Sequence, residues 1–216
     1  DITPEGIATS YKKNNVNIIA GYFLLDESSS IYNDPYMLAL QSKSNINLNE
    51  TTSISSALNY YYAGVKDRVL DDTSSNTLSN DVLVNNYQVI GLSSRLSKKK
   101  AINNLDAGII LDIFTNTEAS ENNNAYLVGG IIGDLKVKKL GQWQIKGLYR
   151  YLEEDATIDI LPDSDAYGGI TGIKGYEVIF KFCIMDNLIS AIDYYRTENI
   201  ADDQIQHLVQ FDLNIK

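Results

Sequence analysis

The sequence predicts an all-β fold, an antiparallel up-and-down transmembrane β-barrel, from three observations. Apolar and polar residues alternate in about eleven runs of strand length, and helical periodicity is nearly absent. The connections between these runs alternate between long and short. The aromatic residues are fifteen Tyr against five Phe and one Trp, and Tyr suits a boundary between hydrocarbon and water.

The predicted strands cover most of the chain. In order they are 4–12, 15–25, 36–46, 51–65, 86–97, 103–114, 125–138, 142–153, 174–185, 187–198 and 206–215. The last strand alternates without interruption, with Val209, Phe211, Leu213 and Ile215 on one side and Leu208, Gln210, Asp212 and Asn214 on the other. Because successive side chains of a strand face opposite sides, it has one apolar and one mostly polar face. Outer-membrane barrels often end in such a strand.

Four other strands show a comparable division into faces. The predicted apolar sides are Leu105, Ala107, Ile109, Leu111 and Ile113; Leu127, Ile131, Leu135 and Val137; Trp143, Ile145, Gly147, Tyr149 and Tyr151; and Tyr176, Val178, Phe180, Phe182 and Ile184. The opposite sides carry the charged residues. We therefore expect one face to contact lipid and the other to face water.

The connections predict how the ends of the sheet differ. The long ones are 26–35, 66–85, 115–124 and 154–173, with a moderate one at 199–205, and the short ones are 13–14, 47–50, 98–102, 139–141 and 186. Lysines gather at the short turns, and acidic residues gather in the long loops, among them Asp71, Asp72, Asp155, Asp159, Asp202 and Asp203. Long loops at one end and tight turns at the other are typical of outer-membrane barrels, with the C-terminus on the periplasmic side.

Composition limits the alternatives. The 216 residues are predicted to form one domain, 1–216, either a barrel or the C-terminal portion of a longer one. No stretch approaches the roughly 18 to 20 apolar residues of a transmembrane helix. The net charge of -10 argues against nucleic acid as a partner, and a single cysteine, Cys183, cannot form an internal disulfide.

Charges on the inward sides of the strands are the main candidates for a functional role. In a barrel they would line the lumen: Arg95, Asp106, Asp112, Asp134, Lys146, Arg150, Glu177, Lys181, Asp193 and Asp212. Such charges set the electric field that a passing solute meets. The alternative is that they pair with one another and only keep the lumen wet.

The loop near residue 165 is the candidate constriction. Its named residues are Asp163, Asp165, Gly168, Gly169 and Lys174. Two nearby carboxylates could bind Ca²⁺, but the EF-hand spacing and its distal Glu are absent. We expect instead that the glycines let an external loop turn sharply and fold toward the pore.

The remaining reactive side chains do not predict an enzyme. His207 is the only histidine, it lacks a convincing catalytic partner, and we expect it at the solvated rim. Cys183 is expected to be a small inward space-filler. No metal or cofactor is expected.

Particular motifs resemble the bacterial "putative porin" family. They are Asn124–Gly130, Gly141–Ile145, Tyr149–Glu153, Asp163–Gly175 and Gln210–Lys216, and Thr3–Ala8 resembles a segment that lies mid-chain in that family. The resemblance implies an outer-membrane barrel that forms a passive diffusion channel. Family members are usually longer, with strands before the Pro-Glu-Gly segment, and usually end in an aromatic residue, whereas Lys216 ends this sequence.

We therefore predict a bacterial outer-membrane porin that passes small hydrophilic solutes or ions. The resemblance and the odd strand count favour part of a barrel of 12 to 18 strands, because single-chain bacterial barrels have even numbers. The expected partners are membrane lipid and the solutes. If the protein is a homo-oligomer, we expect a trimer, in which two further copies of the chain are also partners. The alternatives are a structural or partner-binding barrel with a plugged lumen, and a soluble β-sandwich adhesin.

Overall fold

The computed structural model describes residues 5–26, 34–68, 70 and 75–215. The acidic long-loop residues Asp71 and Asp72 lie outside these ranges, as do Thr3, Pro4 and Lys216 of the motifs above.

Nearly all of the regular structure in the described ranges is β-strand. The strands are β1 (Glu5–Lys13), β2 (Val16–Leu24), β3 (Tyr36–Asn47), β4 (Thr52–Gly64), β5 (Leu78–Ser79), β6 (Val82–Leu83), β7 (Tyr87–Ile102), β8 (Leu105–Asn116), β9 (Asn124–Gly133), β10 (Trp143–Leu152), β11 (Ile173–Met185), β12 (Leu188–Asn199) and β13 (Ile205–Ile215). One 3₁₀ turn covers Tyr167–Gly169. Within the described residues, no helix has the length and apolar character needed to span a bilayer.

Eleven of these strands form one antiparallel meander sheet. The strand order is β1-β2-β3-β4-β7-β8-β9-β10-β11-β12-β13, so every strand pairs with its neighbours in sequence. This confirms the eleven predicted strands. The small β5–β6 hairpin lies in the long connection before β7 and was not predicted. A β-sandwich requires two sheets packed face to face. Among the described residues the only other sheet is the two-stranded β5–β6 hairpin, so this part of the chain does not form a sandwich.

Tight turns join the strands at one end of the sheet. Asn103 and Asn104 have φ angles of 46° and 67°, the positive values that a type I′ hairpin turn requires, and Asn tolerates them better than most residues. Asn187, in the turn between β11 and β12, has a φ of 65°. The predicted alternation of long and short connections is present along most of the sheet. The exception is the connection between β9 and β10, which was predicted to be short: it covers nine residues, 134–142, against seven, 117–123, between β8 and β9.

The register divides the sheet into two faces, which we call face A and face B. Directly paired residues share a face, so Ile109, Tyr149, Val178, Ile192 and Phe211 are all on face A. Face A is apolar and open, and Ile109, for example, is 59% exposed. Face B carries many charged side chains along its length, between apolar residues such as Ile179, which is 5% exposed.

The predicted strand 125–138 needs two corrections. The strand β9 ends at Gly133, where φ is +103°, and Asp134 begins the turn by accepting a hydrogen bond from the backbone N–H of Trp143 at 3.0 Å. The faces are also reversed: Leu127 and Ile131 pair with Arg150 and Lys146 on face B. The apolar side that matches face A is Tyr126, Val128 and Ile132.

Two long connections pack onto face B instead of extending away from the sheet. Ile158, in the connection 153–172, is fully buried with Ala63, Val65, Leu83 and Tyr87. A second cluster places Ala156 and Ala166 against Leu152, Ile173 and Tyr195 of face B. We call residues 153–172 the inner loop, because its apolar side chains cover face B near the long-loop end.

Candidate functional site

A belt of tyrosines follows face A at the long-loop end of the sheet. Its members, from β2 to β12, are Tyr22, Tyr36, Tyr60, Tyr62, Tyr126, Tyr149, Tyr151, Tyr176 and Tyr194. Neighbouring rings touch: the centroids of Tyr126 and Tyr151 are 5.3 Å apart and stacked, and those of Tyr149 and Tyr176 are 5.0 Å apart. Such a belt fits the interface of a bilayer, where the ring is apolar and the hydroxyl remains in water.

Below this belt, the central part of face A has no charged side chain. In β11, Tyr176, Val178, Phe180 and Phe182 follow one another on this face, and in β8 the sequence is Ile113, Leu111, Ile109 and Ala107. At the opposite end, Trp143 lies on face A opposite Phe182. An uncharged band with a belt of tyrosines at one end and a tryptophan at the other resembles the lipid-facing surface of a barrel.

Nine of the ten predicted lumen charges are on face B. They are Arg95, Asp106, Asp112, Lys146, Arg150, Glu177, Lys181, Asp193 and Asp212, placed by the register and the alternation of their strands. The tenth, Asp134, is in the turn after β9, where it also accepts a hydrogen bond from Gln142 Nε2 at 3.3 Å. That carboxylate therefore stabilises the turn.

Four of the charged side chains form a chain of ion pairs from the sheet to the inner loop. Lys146 Nζ lies 3.9 Å from Glu177 Oε1, and Arg150 Nη2 lies 3.8 Å from Glu177 Oε2. Arg150 Nη2 is also 3.7 Å from Asp163 Oδ2. The predicted constriction residue Asp163 is thus joined to the predicted wall residue Arg150, and Glu177 offsets part of the cationic charge.

The inner loop is fixed to face B most firmly around Asp155. This side chain is 4% exposed and accepts hydrogen bonds from Tyr87 Oη at 3.1 Å and from the Thr77 backbone N–H at 3.0 Å. The hydroxyls of Tyr61 and Thr157 also bond to each other. A buried side chain with several hydrogen-bond partners is costly to release, so this segment holds the loop against β4 and β7.

Polar residues of the connection between β4 and β7 hold the inner loop in place through hydrogen bonds. Asn76 donates from its amide to the backbone carbonyls of Glu154 and Thr157, and its Oδ1 accepts from the backbone N–H of Asp159 at 3.0 Å. Ser75 bonds Thr171 through their hydroxyls at 2.9 Å. The two connections therefore form one folded unit on face B.

The predicted constriction residues lie in different places. Gly168 and Gly169 have φ angles of 75° and 85° and make the sharp turn that was expected. Asp165 donates its backbone N–H to Asp163 Oδ1 at 3.2 Å, which is a local turn contact. Lys174 is not beside them: it lies on face A, 2.9 Å from Glu198 Oε1.

A cavity of about 340 Å³ lies between part of the inner loop and face B. Its walls are mostly apolar, with Tyr61, Phe114, Leu127, Leu152 and Leu161 among them. Three charged residues also line it, Asp112, Arg150 and Asp163. Within the described ranges, no three His, Cys, Asp or Glu side chains form a group able to hold a metal ion.

His207 and Cys183 are positioned by local contacts. His207 is exposed on face A and its Nδ1 is 2.9 Å from Tyr194 Oη, at the end of the tyrosine belt. Cys183 is buried on face B, where its thiol donates to the carbonyl of Met185 at 3.0 Å.

The sequence reasoning missed several residues of this surface. Lys43 is a further cation on face B, because it pairs with Asn17 and Ala57. Its alternation with Leu38 and Leu40 was a usable signal. Asp155 and Asn76 were also missed as anchors of the inner loop, and no local pattern distinguishes them from other polar loop residues.

A comparison with protein families identifies the family to which this chain belongs. A family model described as "Putative porin" matches residues 95–216, more than half of the chain. The chain belongs to the putative porin family. This confirms the resemblance, and porin membership implies a non-enzymatic protein. The match begins within β7 and includes the strands that carry the Lys146–Glu177–Arg150 ion pairs. No curated protein matches the chain.

Proposed function

We propose that the eleven-strand sheet is the wall of an outer-membrane β-barrel channel for small hydrophilic solutes or ions. Face A contacts lipid and face B lines the water-filled lumen. The observation that carries this proposal is the separation of charge by the register: the central part of face A is uncharged, whereas nine of the predicted charged residues and Lys43 lie on face B. Membership of the porin family supports the same function.

The direction of the edge strands bears on how such a barrel would close. In an eleven-strand antiparallel meander, β1 and β13 run in the same direction, so pairing them directly would create a parallel contact. A fully antiparallel barrel needs an odd number of additional strands between them, which gives the even totals of single-chain bacterial barrels. We propose that the same polypeptide supplies these strands before residue 1, as the C-terminal part of a barrel of 12 to 18 strands.

The inner loop favours a second candidate, a barrel whose lumen is plugged. Its residues Ala156, Ile158 and Ala166 are fully buried against face B, so part of the cross-section is occupied. We prefer the open channel, because a wall of charged residues extends along face B beyond the loop, at Lys181, Asp193 and Asp212. Charged walls of this kind are typical of solute pathways.

Conductance across planar lipid bilayers tests the proposal. The full-length protein, extracted from outer membranes in detergent and checked for the heat-dependent gel mobility of a folded barrel, is added to one side. A channel gives stable current steps of uniform size. A correctly folded barrel that gives no such steps would exclude the open channel and favour the plugged one.

A further inference from the structure

Eight lysines collect at the short-turn end of the sheet. We call them the lysine collar: Lys12, Lys13, Lys98, Lys99, Lys100, Lys136, Lys138 and Lys139. All eight are exposed. Among the described residues, none of them has a carboxylate oxygen within the 4.0 Å of an ion pair.

Three of the four carboxylates near the collar accept hydrogen bonds from backbone N–H groups. Asp106 accepts a hydrogen bond from the backbone N–H of Lys100 at 3.0 Å, and Asp186 accepts one from the backbone N–H of Leu140 at 2.9 Å. Asp134 is held in the same way by Trp143. With Glu50 as the fourth acidic residue of these turns, the short-turn end is cationic although the whole chain has a net charge of -10.

Large apolar side chains are exposed beside the collar. Leu140 is 67% exposed, Met185 60%, Leu48 59% and Ile102 52%, all in or next to the short turns. Water alone would not favour such exposure. Lysine stems can lie along apolar surface while the ammonium groups reach a layer of phosphate, so the mixture suits the boundary of a membrane.

We propose that the lysine collar binds anionic phospholipid headgroups in the leaflet at the short-turn end of the sheet. This proposal rests on the proposed membrane-spanning function. The chemistry is a row of unpaired ammonium groups that meets lipid phosphates, next to apolar side chains that enter the hydrocarbon. Lys13 and Lys98 lie on face A itself, continuous with the lipid-facing band, so their ammonium groups are closest to the headgroups.

Trp143 reports on this boundary. It is the only tryptophan of the chain, it lies on face A, and it follows directly the turn that carries Lys136, Lys138 and Lys139. The full-length protein is reconstituted into two sets of mixed phosphatidylglycerol and phosphatidylcholine vesicles. One set has brominated chains on the anionic lipid and the other has them on the zwitterionic lipid, and quenching of Trp143 fluorescence gives the relative affinity of the two lipids.

We expect anionic lipid to be preferred roughly fivefold at low salt, which corresponds to one favourable lysine contact near the membrane surface. The preference should fall as the salt concentration rises and the Debye length shortens. The triple variant Lys136→Gln, Lys138→Gln, Lys139→Gln should lose most of it. Lys174→Gln, at the opposite end of face A, is the matched control and should retain it.

The outcomes separate this inference from the proposed function. Equal quenching by both lipids, or an unchanged preference in the triple variant, would overturn the role of the collar while leaving the barrel in place, and would favour an acidic partner on the water side. Quenching by neither lipid would overturn the membrane-spanning proposal itself, and the collar with it. Each variant is first checked for the gel mobility of the folded barrel, and Lys98→Gln, Lys99→Gln, Lys100→Gln provides a second triple variant if the first does not fold.

Discussion

Two adjacent isoleucines in β8 offer a stringent test of the face assignment. Ile109 is on face A and 59% exposed, opposite Gly130 and Leu96. Ile110 is on face B, opposite Gly129 and Arg95. The same substitution, Ile→Arg, can be made at both positions, so the chemical change is identical and only the face differs.

The expected penalty follows from the depth of Ile109. Ile113 pairs with Tyr126 of the tyrosine belt, and Ile109 lies four residues closer to the short-turn end of β8. At ~3.3 Å per residue and ~40° of tilt, this places it ~10 Å below the belt, close to the middle of an apolar band of ~25 Å. Arg at that depth costs about 2 to 4 kcal/mol.

Ile110→Arg should cost less, because the new guanidinium meets water. Its main penalty is the like charge of Arg95 directly across the strand pair, about 1 kcal/mol or less. The two variants should therefore differ by about 1 to 4 kcal/mol in the free energy of unfolding. Urea titration in phospholipid vesicles, followed by Trp143 fluorescence, measures this difference. Equal penalties, or a larger one at Ile110, would refute the assignment of the faces.

Three further predictions concern other parts of the structure. Phe180→Arg on face A should destabilise the barrel by about 2 to 4 kcal/mol, whereas Phe180→Leu should cost much less in the same titration; similar losses would place this strand differently. Lys146→Glu with Arg150→Glu should strengthen cation selectivity, because the double change also leaves Glu177 without its cationic partners. The effect should be clearest at low salt, where screening is weak. An unchanged zero-current potential across a salt gradient would show that these side chains do not face the lumen. Asp155→Ala should release the inner loop, since it leaves the buried hydroxyl of Tyr87 unpaired at about 1 to 3 kcal/mol and also removes the acceptor of the Thr77 backbone N–H. The single-channel current should then rise relative to wild type and to the exposed control Asp202→Ala. An identical current in all three proteins would show that the loop does not narrow the pore.

Much of the fold could be predicted because strand periodicity is a local property of the sequence. In β8, β10, β11 and β13 the apolar residues recur at every second position, and the register confirms the predicted grouping on each strand. In β9 the same reasoning was wrong. Apolar residues of β9 lie on both faces, so the alternation does not distinguish them. The polar residues that decided the prediction, Asp134 and Lys136, belong to the turn after the strand.

The arrangement of the inner loop could not be predicted from the sequence for a physical reason. Its anchors join residues far apart in the chain, as in the contact of Tyr61 with Thr157 and those of Asn76 with Glu154 and Thr157. Such contacts depend on which strands are neighbours across face B, and no local spacing encodes that. The turn made by Gly168 and Gly169 was predictable, since it requires only two residues that tolerate positive φ.

Cysteine-directed block of single-channel current tests most directly the claim that face B lines an open channel. In a Cys183→Ser background, which removes the native thiol, Asp112→Cys places a thiol on face B and Leu111→Cys places one on face A. A charged, water-soluble thiol reagent should reduce the current through the Asp112→Cys channel and leave the Leu111→Cys channel unchanged. Block at Leu111→Cys but not at Asp112→Cys, or equal block at both, would contradict the account.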